Sequence, residues 1–277
     1  MPTTYAHYKL GLEVRKKATP QVADIIEEYP QLFQIGLHGP DLLFYYKALS
    51  KNKVNKIGYH LHELPGRVYF EQAAKVIKKK DYHKAYLAYT LGFLCHYILD
   101  VTCHGWVNEN VKKQVADHLE IEAELDRELL LREGKDPQKA ILTGHLQPGR
   151  KNAEVICDFF PELTVEEIEK SIEDMIFYLN LIVAKNPLKR WILTTALKLA
   201  GKYEAFHGLI INKHKNENCS DCTNRLLELF EEGKEKALRL TDEYVDYVYG
   251  IKELDPLYHY NFDSLLVCSS TEKLSAI

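Results

Sequence analysis

Fifteen residues constrain this chain more than any others: Gly92-Phe-Leu-Cys-His-Tyr-Ile-Leu-Asp-Val-Thr-Cys-His-Gly-Trp106. His96, Asp100 and His104 stand four residues apart, so on a helix they form one stripe. Around them Leu91, Phe93, Leu94, Tyr97, Ile98, Leu99 and Val101 leave little polar surface, which marks the helix as buried. Ionisable groups in such a helix need partners from elsewhere in the fold. At about 1.5 Å per residue the outer pair is roughly 12 Å apart, too far for one metal ion to hold all three. Two or more ions along the stripe fit better, with Asp100 as a bridge, since paired ions in hydrolytic sites sit roughly 3.5–4 Å apart.

The rest of the chain supplies helices to bury that one. Gly and Pro gather at 36–40, 58–66, 134–137, 144–149 and Asn186-Pro187, with amphipathic stretches of helical period between them. The pattern predicts helices over 5–16, 20–29, 41–49, 64–79, 81–104, 108–131, 164–184, 188–199 and 224–249, then an irregular tail after Asp255. Thr19-Pro20 is a cap followed by a first-turn proline, and Thr164-Val-Glu-Glu167 reads as a capping box. No strand-like alternation or internal repeat interrupts the pattern. The expected fold is all-α, a multi-helix bundle forming one domain over 1–277. Metal-binding helices occupy 1–131; supporting helices and the tail occupy 132–277.

Composition acts mainly by exclusion. A net charge of −4 and the lack of a basic stripe argue against nucleic acid as a partner. No apolar run approaches the roughly 20 residues of a membrane span. The start Met-Pro-Thr-Thr-Tyr-Ala-His lacks the pattern of a signal peptide. Six cysteines in 277 residues do not suggest a disulfide framework, so a cytoplasmic location is expected. Cys95 and Cys103 read as small core residues. Cys219-Ser-Asp-Cys222 reads as two reduced thiols in a polar loop, a small zinc clip being the rarer alternative. Lys78-Lys79-Lys80 with Lys75 is a solvated helix end or a contact for anionic headgroups.

Eight of the twelve histidines lie before residue 120. His118-Leu-Glu-Ile-Glu122 sets a histidine and a carboxylate one turn apart, able to complete a site with His104 if its helix packs antiparallel to the first. Gly36-Leu-His-Gly-Pro-Asp41 is a tight turn presenting Asp41, with His38 beside it. Gly58-Tyr-His-Leu-His62 offers two imidazoles that point to opposite sides if extended, so one of them serves the site. His7 sits on the first helix. A single buried histidine is usually a hydrogen-bonded core residue, but this concentration favours a polynuclear metal site. A nitrogen and oxygen donor set suits zinc, with manganese or iron as alternatives.

On these residues the chain resembles the zinc-dependent phospholipases C, the family of the bacterial phosphatidylcholine-hydrolysing enzymes and the catalytic domain of clostridial alpha-toxin. The carrying motifs are Tyr5-Ala-His7, Gly36-Leu-His-Gly-Pro-Asp41, a histidine in 60–62, His96-Tyr-Ile-Leu-Asp100, His104 and His118-Leu-Glu-Ile-Glu122. They cover roughly the first half; 209–214 and 227–230 look like short cytoplasmic-type members. The resemblance implies an all-α fold with two to three zinc ions. Asp41, His62, His96 and Asp100 would surround one ion and His104, His118 and Glu122 a second. His7 with Asp100 would hold a third, Asp100 bridging. His62 is preferred over His60. The secreted members use a processed N-terminal tryptophan as a ligand, where this chain reads Met-Pro-Thr-Thr. The interval from Asp100 to His104 is two residues shorter than theirs, and no membrane-binding β-domain is visible.

The implied activity is hydrolysis of a phospholipid or related, even soluble, phosphodiester by metal-activated hydroxide, with peripheral membrane contact possible. Asp41, where it is not a firm ligand, is the candidate general base that orients the water. Phe44, Tyr45, Tyr46, Tyr59, Tyr69 and Phe70 either line a cleft for acyl chains or a choline-like cation, or are core. A trinuclear zinc nuclease and a non-catalytic metal-binding helical protein are the alternatives.

Overall fold

A computed structural model describes residues 4–267 of the protein. Its organising element is α6 (Lys84–Lys112), in which every residue from Leu87 to Val101 is buried. Helices α1 (Thr4–Lys17), α2 (Pro20–Glu28), α3 (Pro30–Gly36) and α12 (Ser220–Val248) pack against it. This is the geometry expected of a helix that is apolar nearly all round. The fold is all-α: among the described residues every regular element is helical, and the one extended pairing is an isolated bridge from Tyr260 to Leu266.

α3 and α6 approach backbone to backbone. A Cβ on Gly92 would stand 2.1 Å from the Phe33 carbonyl oxygen, and one on Gly36 would stand 2.2 Å from that of Tyr89. Two facing glycines thus let α3 lie directly on α6 and deliver the turn after α3 to His96. In that turn Gly39 adopts φ +47°, and a side chain there would collide with the His96 ring. The following 39–45 segment is a 3-10 helix, Gly39–Tyr45, rather than the α-helix expected over 41–49.

Three further expectations need correction. Residues 58–66 are not a turn region: α4 (Lys53–Glu63) runs through Gly58, its start fixed by reciprocal caps between Asn52 and Asn55. It ends at Leu64-Pro65, where proline disfavours helix in the residue before it. The helix expected over 108–131 is two pieces. α6 runs past His104 to Lys112, the chain reverses through Gln114 at φ +58°, and α7 (His118–Arg132) begins after Asp117. Cys219 and Cys222 are not in a polar loop but buried at the start of α12. Helices α3, α8 (Arg150–Cys157) and the single turn α11 (Tyr203–Phe206) were not foreseen either.

Other readings agree. α5 (Gly66–Lys79) is close to its expected span, and Lys80 after it pairs with Asp158 at 2.7 Å. α9 (Val165–Ile182) opens with both bonds of the Thr164–Glu167 capping box. α10 (Pro187–Leu199) has the expected span but buries none of its residues. Cys95 and Cys103 are buried, as are Tyr69 and Phe70, whereas Tyr59 is exposed. As far as Val267 the tail is irregular apart from the 3-10 turn Pro256–His259, yet anchored, the rest of it lying outside the described residues: the Tyr97 hydroxyl shares its proton between the carbonyls of Leu257 and Tyr260, both at 2.8 Å, and Phe262 is buried. No helix among the described residues is long and apolar enough to cross a membrane.

Candidate metal centre

Five elements meet at one place. α1 brings His7, the 3-10 helix Asp41, α4 His62, α6 the His96, Asp100, His104 stripe, and α7 His118 and Glu122. α1 is held there by Asp126 of α7, whose buried carboxylate accepts the backbone N–H groups of Tyr5 and Ala6 at 2.9 and 2.8 Å. A carboxylate at a helix start satisfies donors that have no intrahelical acceptor.

The donor atoms fall into three groups, each with members within 4.8 Å of one another: His7, His96 and Asp100; Asp41, His62 and His96; His104, His118 and Glu122. In the first, His7 Nε2 lies 3.3 Å and His96 Nε2 3.2 Å from the two Asp100 oxygens. In the second, Asp41 Oδ1 lies 3.1 Å from His62 Nε2 and 3.7 Å from His96 Nε2. In the third, Glu122 Oε1 lies 3.2 Å from His104 Nε2 and 2.8 Å from His118 Nε2. Asp100 Oδ1 is also 3.8 Å from His104 Nε2, so this one carboxylate stands between groups. His96 belongs to two groups, a sharing the sequence did not suggest.

The imidazoles are oriented from behind. His96 Nδ1–H donates to the Leu37 carbonyl at 3.3 Å, His62 Nδ1–H to that of Gly58 at 2.7 Å, and His104 Nδ1–H to that of Phe262 at 2.6 Å. Each bond leaves Nε2 lone pairs aimed inward, the usual arrangement behind metal-ligating histidines. His62 Nε2, His96 Nε2, Asp41 Oδ1, both Asp100 oxygens and both His7 ring nitrogens are buried without a hydrogen-bond partner among the described residues. Buried polar atoms in such number are costly unless something else binds them. Two donors each about 2.0–2.1 Å from a tetrahedral zinc sit about 3.3 Å apart, close to most of the separations here. The site therefore fits zinc in both donor chemistry and spacing.

The electrostatics differ from residue to residue: burial lowers His96, but Asp100 and Asp41 outweigh it and raise its pKa. Burial pushes Asp100 toward protonation, but His96 and His104 outweigh it and hold the carboxyl well below its usual range. Glu122 is likewise held low against burial by His118 and His104. Burial and the neighbouring His96 lower His7 to about 4, so its ring is neutral, as a ligand's must be.

His60 is turned outward, 3.7 Å from Glu63, so His62 is the member of that pair brought to the site. His38 joins none of the three groups; its Nε2 meets His145 Nε2 at 2.7 Å, with Tyr8 stacked on His145. Residues 1–3, which stand where the secreted family members have an N-terminal ligand, lie outside the described residues. Sequence reasoning missed Asp126 and the Phe262 carbonyl. Asp126 belongs to an acidic run indistinguishable from a solvated face, and a carbonyl leaves no signal in side-chain chemistry.

A narrow cleft, partly open to solvent, is lined by His7 and Asp41. Thr4 and Tyr45 border its polar end, while Leu142, Met175, Leu179, Ile182, Leu209 and Ile211 form apolar walls. A sequence model described as zinc dependent phospholipase C matches residues 6–186, which include all eight clustered residues. Comparisons with curated proteins and with solved structures return no match.

Proposed function

Because the chain belongs to the zinc-dependent phospholipase C family, we propose that it is a phosphodiesterase cleaving a phospholipid, or a related phosphodiester with an apolar portion, at the floor of this cleft. The observation that carries the reading is the meeting of three donor groups, two of which hold buried atoms with no hydrogen-bond partner among the described residues, with an apolar cleft. Two to three zinc ions would be held by Asp41, His62 and His96, by His104, His118 and Glu122, and by His7 with His96 and Asp100. Zinc supplies Lewis acidity there, bringing the pKa of water toward neutrality and neutralising phosphate charge.

The chain's own residues do the rest. The carbonyls of Leu37, Gly58 and Phe262 fix the imidazole tautomers, so the donors are set before substrate arrives. Of the three clustered carboxylates Asp41 alone borders the cleft, which makes it the candidate to orient the attacking water and accept its proton. The apolar walls exclude bulk water and hold acyl carbons.

The test is metal content by mass spectrometry on protein purified without a metal-affinity tag, beside turnover of a soluble short-chain phosphatidylcholine. Two or three zinc per chain with phosphate-ester cleavage is the expected result. Cleavage of single-stranded DNA instead, or full zinc with no turnover of any phosphodiester, overturns it.

A further inference from the structure

Outside the matched region, α10 is built inside out. Leu188, Trp191, Ile192 and Leu199 are 67%, 64%, 52% and 86% exposed. Their spacing of three, four and eleven residues from Leu188 puts them on one stripe. Lys189 and Lys198 lie about 100° and 80° to either side of it, at roughly 3.6 residues per turn. The preceding helix ends in the same way, with Phe177 and Leu181 exposed one turn apart. From Met175 to Tyr203 there is no aspartate or glutamate, but there are five cations, in a chain whose net charge is −4. Arg190 is committed internally, its guanidinium donating to the carbonyls of Ile210 and Ile211 at 3.4 and 3.0 Å. Lys185, Lys189, Lys198 and Lys202 form no salt bridge among the described residues.

We infer that the exposed stripe of α10, with Phe177 and Leu181, seats the protein on an anionic lipid bilayer surface. Three observations select a membrane over a protein partner. The stripe combines tryptophan and aliphatic side chains with flanking lysines and no carboxylate, the composition of a helix lying in the headgroup plane. The local charge is opposite to that of an anionic leaflet and opposite to the chain's own net sign. The surface is also continuous with the cleft: Leu179, Ile182 and Val183 line it from the same segment, and Arg190 ties α10 to the 209–211 strip on its other wall. A bilayer met by α10 would thus lie beside the cleft mouth. The proposal rests on the phospholipid reading for its purpose, but its test needs no turnover.

Trp191 is the reporter, because the other tryptophan, Trp106, is half-buried and donates its indole N–H to the Cys222 carbonyl at 3.3 Å. Whole protein is mixed with phosphatidylcholine vesicles with and without phosphatidylserine, some carrying brominated acyl chains. The expected result is a blue-shifted, bromine-quenched emission that strengthens with phosphatidylserine and weakens with salt. Co-sedimentation of Leu188→Ser/Trp191→Ser should fall at least about tenfold. Lys185→Gln/Lys198→Gln, which leaves the apolar stripe intact, should lose several-fold on anionic vesicles only. Unquenched emission on anionic vesicles, or unchanged sedimentation of the serine variant, overturns the proposal. So does a concentration-dependent dimer that the serine variant abolishes without any vesicle binding, since that assigns the face to a second copy. Zinc-dependent turnover of a soluble substrate alongside any of these would leave the catalytic reading standing.

Discussion

Helices α6 and α10 break the same rule in opposite directions. α6 buries His96, Asp100 and His104 among apolar residues, and α10 leaves four large apolar residues in water. The first violation has its explanation inside the molecule. His7, Asp41, His62, His118 and Glu122 arrive from four other elements, and a carbonyl stands behind three of the imidazoles. The second finds no counterpart among the described residues. A misplaced residue whose partners are internal points to an ion or substrate drawn in; one without them points to a surface outside.

Changes in α6 should be the most damaging. Asp100→Asn is expected to lose most bound zinc and to lower turnover roughly 10,000-fold, about 5 kcal/mol of barrier. Retained metal and rate in that variant would break the comparison at once. Phe93→Ala removes a ring stacked on Tyr69 at 3.8 Å and should cost about 3–5 kcal/mol in urea unfolding. The His7 ring, with its pKa lowered to about 4 in the fold, binds its proton more readily in the unfolded chain. In chelated protein, stability should therefore fall as pH drops from about 6.5 to about 4, by up to about 1.4 kcal/mol per unit, and level off below. His7→Asn should remove that component of the slope. Thr164→Ala should cost about 1 kcal/mol, the usual loss for an N-cap, without touching metal content. Leu188→Ser/Trp191→Ser should move unfolding by less than about 0.5 kcal/mol, because those side chains are already in water. A larger loss would show that α10 is packed in solution, and would sharpen the contrast the other way.

The class of the fold and the membership of the cluster were legible because both depend on side-chain pattern. A four-residue spacing in an apolar helix states its burial and its stripe together. Legibility failed where backbone decides. Gly58 reads as a breaker, yet the Asn52–Asn55 cap carries α4 through it and so turns His62 inward and His60 out. The split between α6 and α7 depends on a left-handed turn at Gln114, a residue with no preference for one. Sharing of His96 between two donor groups follows from Gly39 lying against its ring, a contact between segments far apart in sequence. Asp126 and the Phe262 carbonyl act through position alone.

The Phe262 carbonyl has a consequence in time. It holds His104 from 158 residues further along the chain. At roughly 5–20 residues per second, a ribosome needs on the order of 8–30 s to make that interval. Once Glu122 is made, for most of that interval, the nascent chain carries every candidate ligand while one imidazole lacks its brace. An ion captured then would meet a pliable site with little power to choose among metals. On the zinc reading, that order favours loading after synthesis, when the Phe262 carbonyl has closed behind His104.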